Sequence, residues 1–157
     1  MFDPTPTIGP IERFMVSDHV RIDGMLAKAM GTEPIDPLTY ARFRHDLLRH
    51  IAMEERVLLP FARVKRLGSP LPFATELRAD HAEIAKILVR SPSSEAVEAL
   101  LTILGRHNPL EEGPDGLYAA CDRLADADEA AEVVERLKRQ GDLPLALYND
   151  RPHHRSA

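Results

Sequence analysis

The feature that most constrains this chain is a histidine followed four residues later by a glutamate, which occurs twice. His50 precedes Glu54 and His107 precedes Glu111, each within a longer HxxxEE pattern. Two positions four apart on an α-helix lie about 40° apart around its axis, so both side chains reach one point in space. Imidazole and carboxylate together suit iron, zinc or manganese. One such pair arises easily by chance, whereas a repeated pair indicates a metal site.

A second element is repeated in the same order, upstream of each HxxxEE pattern. Residues 18–22 and residues 80–84 both read DHxxI, which places His19 and His81 in equivalent positions. Both elements recur at similar spacing, which predicts a duplicated helix pair. We therefore expect an all-α chain folded as an antiparallel four-helix bundle, with one metal-ligand element on each helix.

Apolar periodicity and capping residues predict where the helices lie. We expect three of them near residues 10–29, 37–67 and 72–89, and a fourth that follows a capped loop at residues 91–95 and includes Val97 to Glu111. Pro60 should kink the second helix and Pro109 should bend the fourth. A short charged helix over residues 128–140 and an extension follow, and the histidine pair at 153–154 falls in a loose end. The length predicts a single domain over residues 1–157, with the bundle at about 10–124 and the C-terminal helix and tail at about 125–157.

The interior of such a bundle would hold six polar side chains, which are the candidate metal ligands: His19, His50, Glu54, His81, His107 and Glu111. Burying four imidazoles and two carboxylates without partners is costly. Two metal ions remove that cost, because each carboxylate can bridge ions spaced ~3.5–4 Å apart while two imidazoles bind each ion. Glu112 remains an alternative to Glu111 as the second bridge, and Asp23 remains open as an additional ligand.

Composition narrows the function classes. Hydrophobic residues make up 44% and charged residues 29% of the chain, as in ordinary globular proteins. The formal net charge of −5 argues against a nucleic-acid partner. No apolar run approaches the ~18–20 residues that cross a bilayer, and the first residues lack the basic and apolar regions of a signal peptide. A single cysteine, Cys121, allows no internal disulfide, so we expect a cytoplasmic protein without a membrane partner.

Together these motifs resemble the hemerythrin-like, HHE cation-binding family over about residues 10–122. The DH element, HxxxEE followed by LxP, the second DH element and HNxxEE followed by LY match it in order. The resemblance implies a four-helix bundle around a non-haem, usually di-iron, centre, with zinc or manganese as substitutes, and it gives the six candidates their ligand roles. Hemerythrins proper carry a further histidine one turn after the position of His81. This chain has Ala85 there, which implies two imidazoles for each metal.

The expected function is a di-iron protein that binds or senses O₂, NO or peroxide. An iron-handling or iron-sensing module and a redox enzyme (an oxidase, a peroxidase or an iron-centre repair protein) remain alternatives, because ligands alone do not separate these functions. Whether the chain is an enzyme therefore stays open. A ferritin-type bundle is disfavoured, since it would need Glu-x-x-His on two helices and no histidine of the predicted helices has an acid three residues before it.

Overall fold

The computed structural model describes residues 7–151, and within this range the chain is helical with no strand. The helices are α1 (Pro10–Met30), α2 (Pro37–Met53), α3 (Leu59–Lys65), α4 (Ala74–Leu88), α5 (Ser94–Glu111), α6 (Leu117–Leu124) and α7 (Ala127–Lys138). A π-helical turn, Glu54–Leu58, joins α2 to α3 without a break. The all-α prediction is confirmed. The histidine pair at 153–154 lies outside the described residues.

Side-chain caps explain where several helices begin. The Asp36 carboxylate accepts a hydrogen bond from the Thr39 backbone at 3.2 Å, and Pro37 occupies the first helical position of α2. Ser93 caps α5 in the same way, accepting from the Ala96 backbone at 3.0 Å. The start of α2 matches the prediction, and α5 begins inside the segment 91–95 that was predicted as a capped loop. Helix α6 was not predicted as an element of its own.

The predicted kink at Pro60 takes the form of the π-helical turn. Proline has no N–H to donate to the carbonyl four residues earlier. The N–H of Leu59 instead reaches the carbonyl of Glu54, five residues back. Turns of this kind are rare in proteins, but those that do occur are frequently found at functional sites. Here the turn begins at Glu54, one of the six candidate ligands.

The core consists of two hydrophobic clusters. Cluster A includes Ile11, Met15, Leu58, Leu77 and Leu117, and cluster B includes Ile22, Phe43, Leu47, Ile84 and Leu100. Along α1 and α4 the chain passes from cluster A to cluster B, and along α2 and α5 it passes from B to A. Helix α1 packs on α2, and α4 packs on α5. Each of these four helices carries a candidate ligand between its two apolar segments, so a polar layer divides the core.

Helix α6 is fixed beside the start of α1. The two oxygens of Asp122 accept hydrogen bonds from the backbone N–H groups of Ile11 at 3.0 Å and Glu12 at 2.9 Å. A carboxylate is favourable at this end of a helix, where unpaired N–H groups carry partial positive charge. Gly9 makes the contact sterically feasible, because a Cβ there would overlap the Asp122 carboxylate. This anchor sets the position of Tyr118, one turn earlier on α6.

The extension after α7 lies against the long helices. The Arg49 side chain donates to the carbonyl of Gln140 at 2.8 Å, and the backbone of Leu143 donates to His45 Nε2 at 3.2 Å. Farther along, the N–H of Asn149 donates to the carbonyl of Val89 at 2.8 Å. His45 therefore holds the extension and takes no part in the polar layer.

None of the helices in residues 7–151 combines the length and the apolar character that crossing a membrane requires.

Candidate metal centre

All six predicted ligands meet in the polar layer between clusters A and B. Their donor atoms form two groups, in each of which all atoms lie within 4.8 Å of one another. Position 1 comprises His19, His50, Glu54 and Glu111, and position 2 comprises Glu54, His81, His107 and Glu111. Every member is buried except His19, whose side chain is 11% exposed. Groups of this composition can hold a metal ion.

Glu54 belongs to both positions because its two oxygens face different histidines. Its Oε2 lies 3.7 Å from Nε2 of His50 in position 1. Its Oε1 lies 3.2 Å from Nε2 of His81 in position 2. One carboxylate thus offers one oxygen to each position, which is the arrangement of a bridging ligand.

Glu111 divides its oxygens in the same way. Its Oε1 lies 3.3 Å from Nε2 of His19, and its Oε2 lies 3.0 Å from Nε2 of His107. The neighbouring Glu112 stays outside both groups, with a side chain 38% exposed. Of the two acids between which the sequence did not decide, the structure brings Glu111 into the layer.

An aspartate orients one histidine of each position. Asp18 Oδ2 lies 2.7 Å from Nδ1 of His50, and Asp80 Oδ2 lies 3.0 Å from Nδ1 of His107. A carboxylate at Nδ1 keeps the proton there and directs the lone pair of Nε2 inward, as in many metal sites. Sequence reasoning missed both aspartates, although each is the Asp of a repeated DH element. Neither could be assigned a target, because each contacts a histidine on another helix.

The second glutamate of each HxxxEE pattern faces the remaining two histidines. Glu112 Oε1 lies 2.5 Å from Nδ1 of His19. Glu55 Oε1 lies 3.6 Å from Nδ1 of His81, too far for a hydrogen bond. All four histidines therefore have an outer carboxylate opposite Nδ1 and present Nε2 to the layer, but the contact at His81 is the loosest.

Four buried polar atoms of the layer have no hydrogen-bond partner in the described part of the chain. They are Glu54 Oε1, Glu111 Oε2 and both ring nitrogens of His81. Carboxylate oxygens lie 3.2 and 3.5 Å from His81 Nε2 but are not aligned for hydrogen bonds. Unpaired buried groups of this kind are costly and rare in native proteins. A cation at position 2 would satisfy the three that face it, so the donor set fits a metal.

Two histidines of the layer take up protons, and their positive charges compensate the negative charges of the buried carboxylates. Burial opposes a charged imidazole, yet the carboxylates of Glu111, Glu54 and Glu55 outweigh it and raise the pKa of His81 to about 11. Burial likewise opposes the charge of His19, but the neighbouring carboxylates, chiefly Glu111, raise its pKa to about 9. Both rings are therefore protonated on both nitrogens and positively charged at neutral pH. A metal ion that binds here must displace these protons.

Tyr118 of α6 reaches into position 1. Its hydroxyl donates to Glu54 Oε2 at 2.7 Å and lies 3.0 Å from Nε2 of His50 and 3.2 Å from Nε2 of His19. The ring is fully buried in cluster A. Burial and the charges of Glu54 and Glu111 raise the pKa of this phenol well above its usual value. Tyr118 is therefore both a core residue of cluster A and a neighbour of the candidate metal ligands.

Two cavities adjoin the layer. The smaller, of about 20 Å³, lies between the polar layer and apolar side chains of cluster B, including Phe43, Ile84 and Leu104. Asp23 lines its edge but joins neither group of ligands. The larger, of about 360 Å³, lies on the outer side of His81 and Glu55 and is lined by Ala85 and the extension. The small cavity can hold a molecule about the size of water, since one water needs roughly 10–15 Å³.

Comparison with known proteins gives no match: no protein-family model fits the chain, and no curated protein or solved structure is significantly similar to it. The resemblance to hemerythrin-like proteins therefore stays a prediction. The chemistry of the site has to be inferred from its geometry.

Proposed function

We propose that this chain is a hemerythrin-like four-helix-bundle protein that holds two iron ions and binds or senses O₂, NO or peroxide. The observation that carries the proposal is the division of the Glu54 and Glu111 oxygens between two pairs of histidines. The alternating course of α1, α2, α4 and α5 between clusters A and B supports the bundle.

The donor set favours iron over softer metals. Four imidazole nitrogens and two carboxylates contain no thiolate, and imidazole with carboxylate suits iron, with zinc and manganese as substitutes. Cys121 takes no part, because burial and the Asp122 charge raise the pKa of its thiol to about 12 and its Sγ contacts the Leu58 carbonyl. Reduced iron, when bound, supplies the electrons and the coordination positions that O₂, NO and peroxide require.

The surrounding residues restrict what can reach the site. Cluster A and cluster B exclude bulk water from both sides of the polar layer. The cavity of about 20 Å³ is lined by ligands of both positions, including Glu54 and His107, and it has room for a diatomic molecule but not for an organic substrate. This size limit favours a small inorganic ligand.

The direct test is anaerobic loading with ferrous iron, followed by metal counting and optical spectra on addition of O₂, NO or peroxide. We expect close to two iron ions per chain and a spectral change with at least one of the three ligands. A chain that retains no iron after desalting would overturn the proposal. Two irons without any spectral response would overturn the small-ligand function and leave the metal site.

A second test addresses the small cavity. Leu104→Phe places a larger side chain at its wall and should slow the reaction with NO at unchanged iron content. Leu101→Phe is the matched control, because Leu101 lies on the same helix but is 54% exposed. Equal NO kinetics in the two variants would show that ligands do not use this cavity.

A further inference from the structure

The hydroxyl of Tyr118 lies among three donor atoms of position 1. Its distances to Glu54 Oε2, His50 Nε2 and His19 Nε2 are 2.7, 3.0 and 3.2 Å. Ligand atoms bound about 2.1 Å from one metal ion lie about 3 Å from their neighbours when they occupy adjacent octahedral vertices. The phenol oxygen therefore stands at the spacing of a further ligand.

The three atoms that face the Tyr118 hydroxyl would become metal donors together. The outer carboxylates of Asp18 and Glu112 face Nδ1 of His50 and His19, so each ring turns its Nε2 toward the layer. A metal ion at position 1 would displace the proton of the His19 ring and meet both Nε2 atoms, Glu54 Oε2 and the phenol oxygen together.

The backbone before α6 is built to bring Tyr118 this close. A Cβ on Gly116 would lie 2.5 Å from the carbonyl oxygen of Glu111, so only glycine allows the chain to pass there. Gly113 has a φ of 86°, in the left-handed region that favours glycine. The equivalent segment of the first copy lacks this turn and continues as a helix with Leu59 in cluster A. Position 2 consequently has no counterpart of Tyr118.

We propose that Tyr118 is a metal ligand of position 1, as a phenolate, and makes the centre asymmetric. This inference rests on the proposed dinuclear site. When the metal–oxygen bond forms, the O–H bond of the phenol breaks and its proton leaves to solvent. Position 1 then has five protein donor atoms, from two histidines, two carboxylates and one phenolate, whereas position 2 has four. The exogenous ligand therefore binds at position 2, which keeps more coordination positions free.

The test uses the colour of ferric phenolate, since a phenolate on ferric iron absorbs visible light by charge transfer from the ring to the metal. The full chain is loaded with iron, oxidised, and its visible spectrum and iron content are recorded. We expect a charge-transfer band whose resonance-enhanced vibrations are those of a tyrosine ring. Tyr118→Phe should lose the band and keep at least one iron per chain.

The other two tyrosines provide matched controls, because the chain has three in all. Tyr40 is as buried as Tyr118, but it packs in cluster B and does not line the small cavity beside the two positions. A Tyr40→Phe/Tyr148→Phe chain retains Tyr118 alone and should keep the full band. This variant keeps the test decisive even if Tyr118→Phe does not fold.

The outcomes separate the two proposals. Two irons per chain without a phenolate band would overturn the role of Tyr118 and leave the dinuclear site intact. A band that disappears in the Tyr40→Phe/Tyr148→Phe chain would assign the phenolate to another residue and overturn it as well. Failure of the wild-type chain to retain iron would instead overturn the proposed function.

Discussion

Positions 1 and 2 arise from equivalent sequence elements but differ in their surroundings. At position 1, the Tyr118 hydroxyl contacts three of the candidate donor atoms, and the outer contact from Glu112 to His19 is 2.5 Å. At position 2, no tyrosine is present and the outer contact from Glu55 to His81 is 3.6 Å. Three inner atoms there, on Glu54, Glu111 and His81, have no hydrogen-bond partner within residues 7–151. The repeated motifs therefore give two positions with the same kinds of ligand, but position 1 has more side-chain contacts around its ligands than position 2.

The ligands that the two positions share and the surroundings in which they differ come from different parts of the sequence. The ligand pattern follows from the repeated motifs, whereas the surroundings follow from the segments after the two HxxxEE patterns. The first segment continues as α3, and the second turns at residues 112–116 into α6. Each prediction below tests how far the two positions depend on shared or separate residues.

The largest effect is expected from Glu111→Gln, because this carboxylate serves both positions. Iron content should fall below one ion per chain, measured by metal analysis after loading and desalting. Glu112→Gln is the matched control, since it changes the neighbouring residue and removes only the outer contact to His19. A greater loss in the Glu112 variant would move the bridge to that residue.

Removing one histidine should affect one position only. His50→Ala and His107→Ala should each leave about one iron per chain, because each ring belongs to a single group of donors. His107→Ala should keep the Tyr118 charge-transfer band, and His50→Ala should alter it. His45→Ala, which lies outside both groups, should keep both irons. Loss of both irons in either ligand variant would show that neither position exists alone.

A smaller effect is expected from the outer aspartates. Asp18→Asn and Asp80→Asn each remove the charge that holds the Nδ1 proton of one histidine, and such changes weaken metal binding about 10–100-fold. Competition with a chromophoric chelator would measure the two affinities. Similar losses would mean that the outer shells of the two positions are equivalent. Unchanged affinity in both variants would contradict an orienting role.

The smallest effect is expected in the pH dependence of thermal stability, because His19 of position 1 and His81 of position 2 have different pKa values. The pKa values of His19 and His81 rise from 6.5 in the unfolded chain to about 9 and about 11. A raised pKa stabilises the fold below pH 6.5, and this contribution is lost as pH rises to the folded value. The chelator-treated protein should thus lose thermal stability between pH 7 and 9, and His81 should cause further loss above pH 9.

Calorimetry would check the same protonation from the metal side. Metal binding at pH 7 should release protons, so the measured heat should depend on the ionisation enthalpy of the buffer. His81→Gln should release fewer protons and show a shallower alkaline loss of stability. Stability of the chelator-treated protein that rises from pH 7 to 9 would contradict this account of the charges.

The sequence by itself determined the features that depend on neighbours within one or two helical turns. The Asp36 cap, the helical periodicity and the pairing of His50 with Glu54 all follow from the geometry of a single helix. Because these patterns are repeated, the sequence alone identifies all six residues that cluster in the polar layer.

Only the tertiary structure decided which residues meet across helices. The contact of Asp18 with His50, the division of the Glu111 oxygens and the entry of Tyr118 into position 1 each join residues more than 30 apart or on separate helices. No local pattern encodes such contacts, because they depend on how whole helices pack. The π-helical turn at Glu54 and the turn at Gly116 then set the final direction of each side chain, through backbone hydrogen bonds and close approaches that exist only in the folded protein.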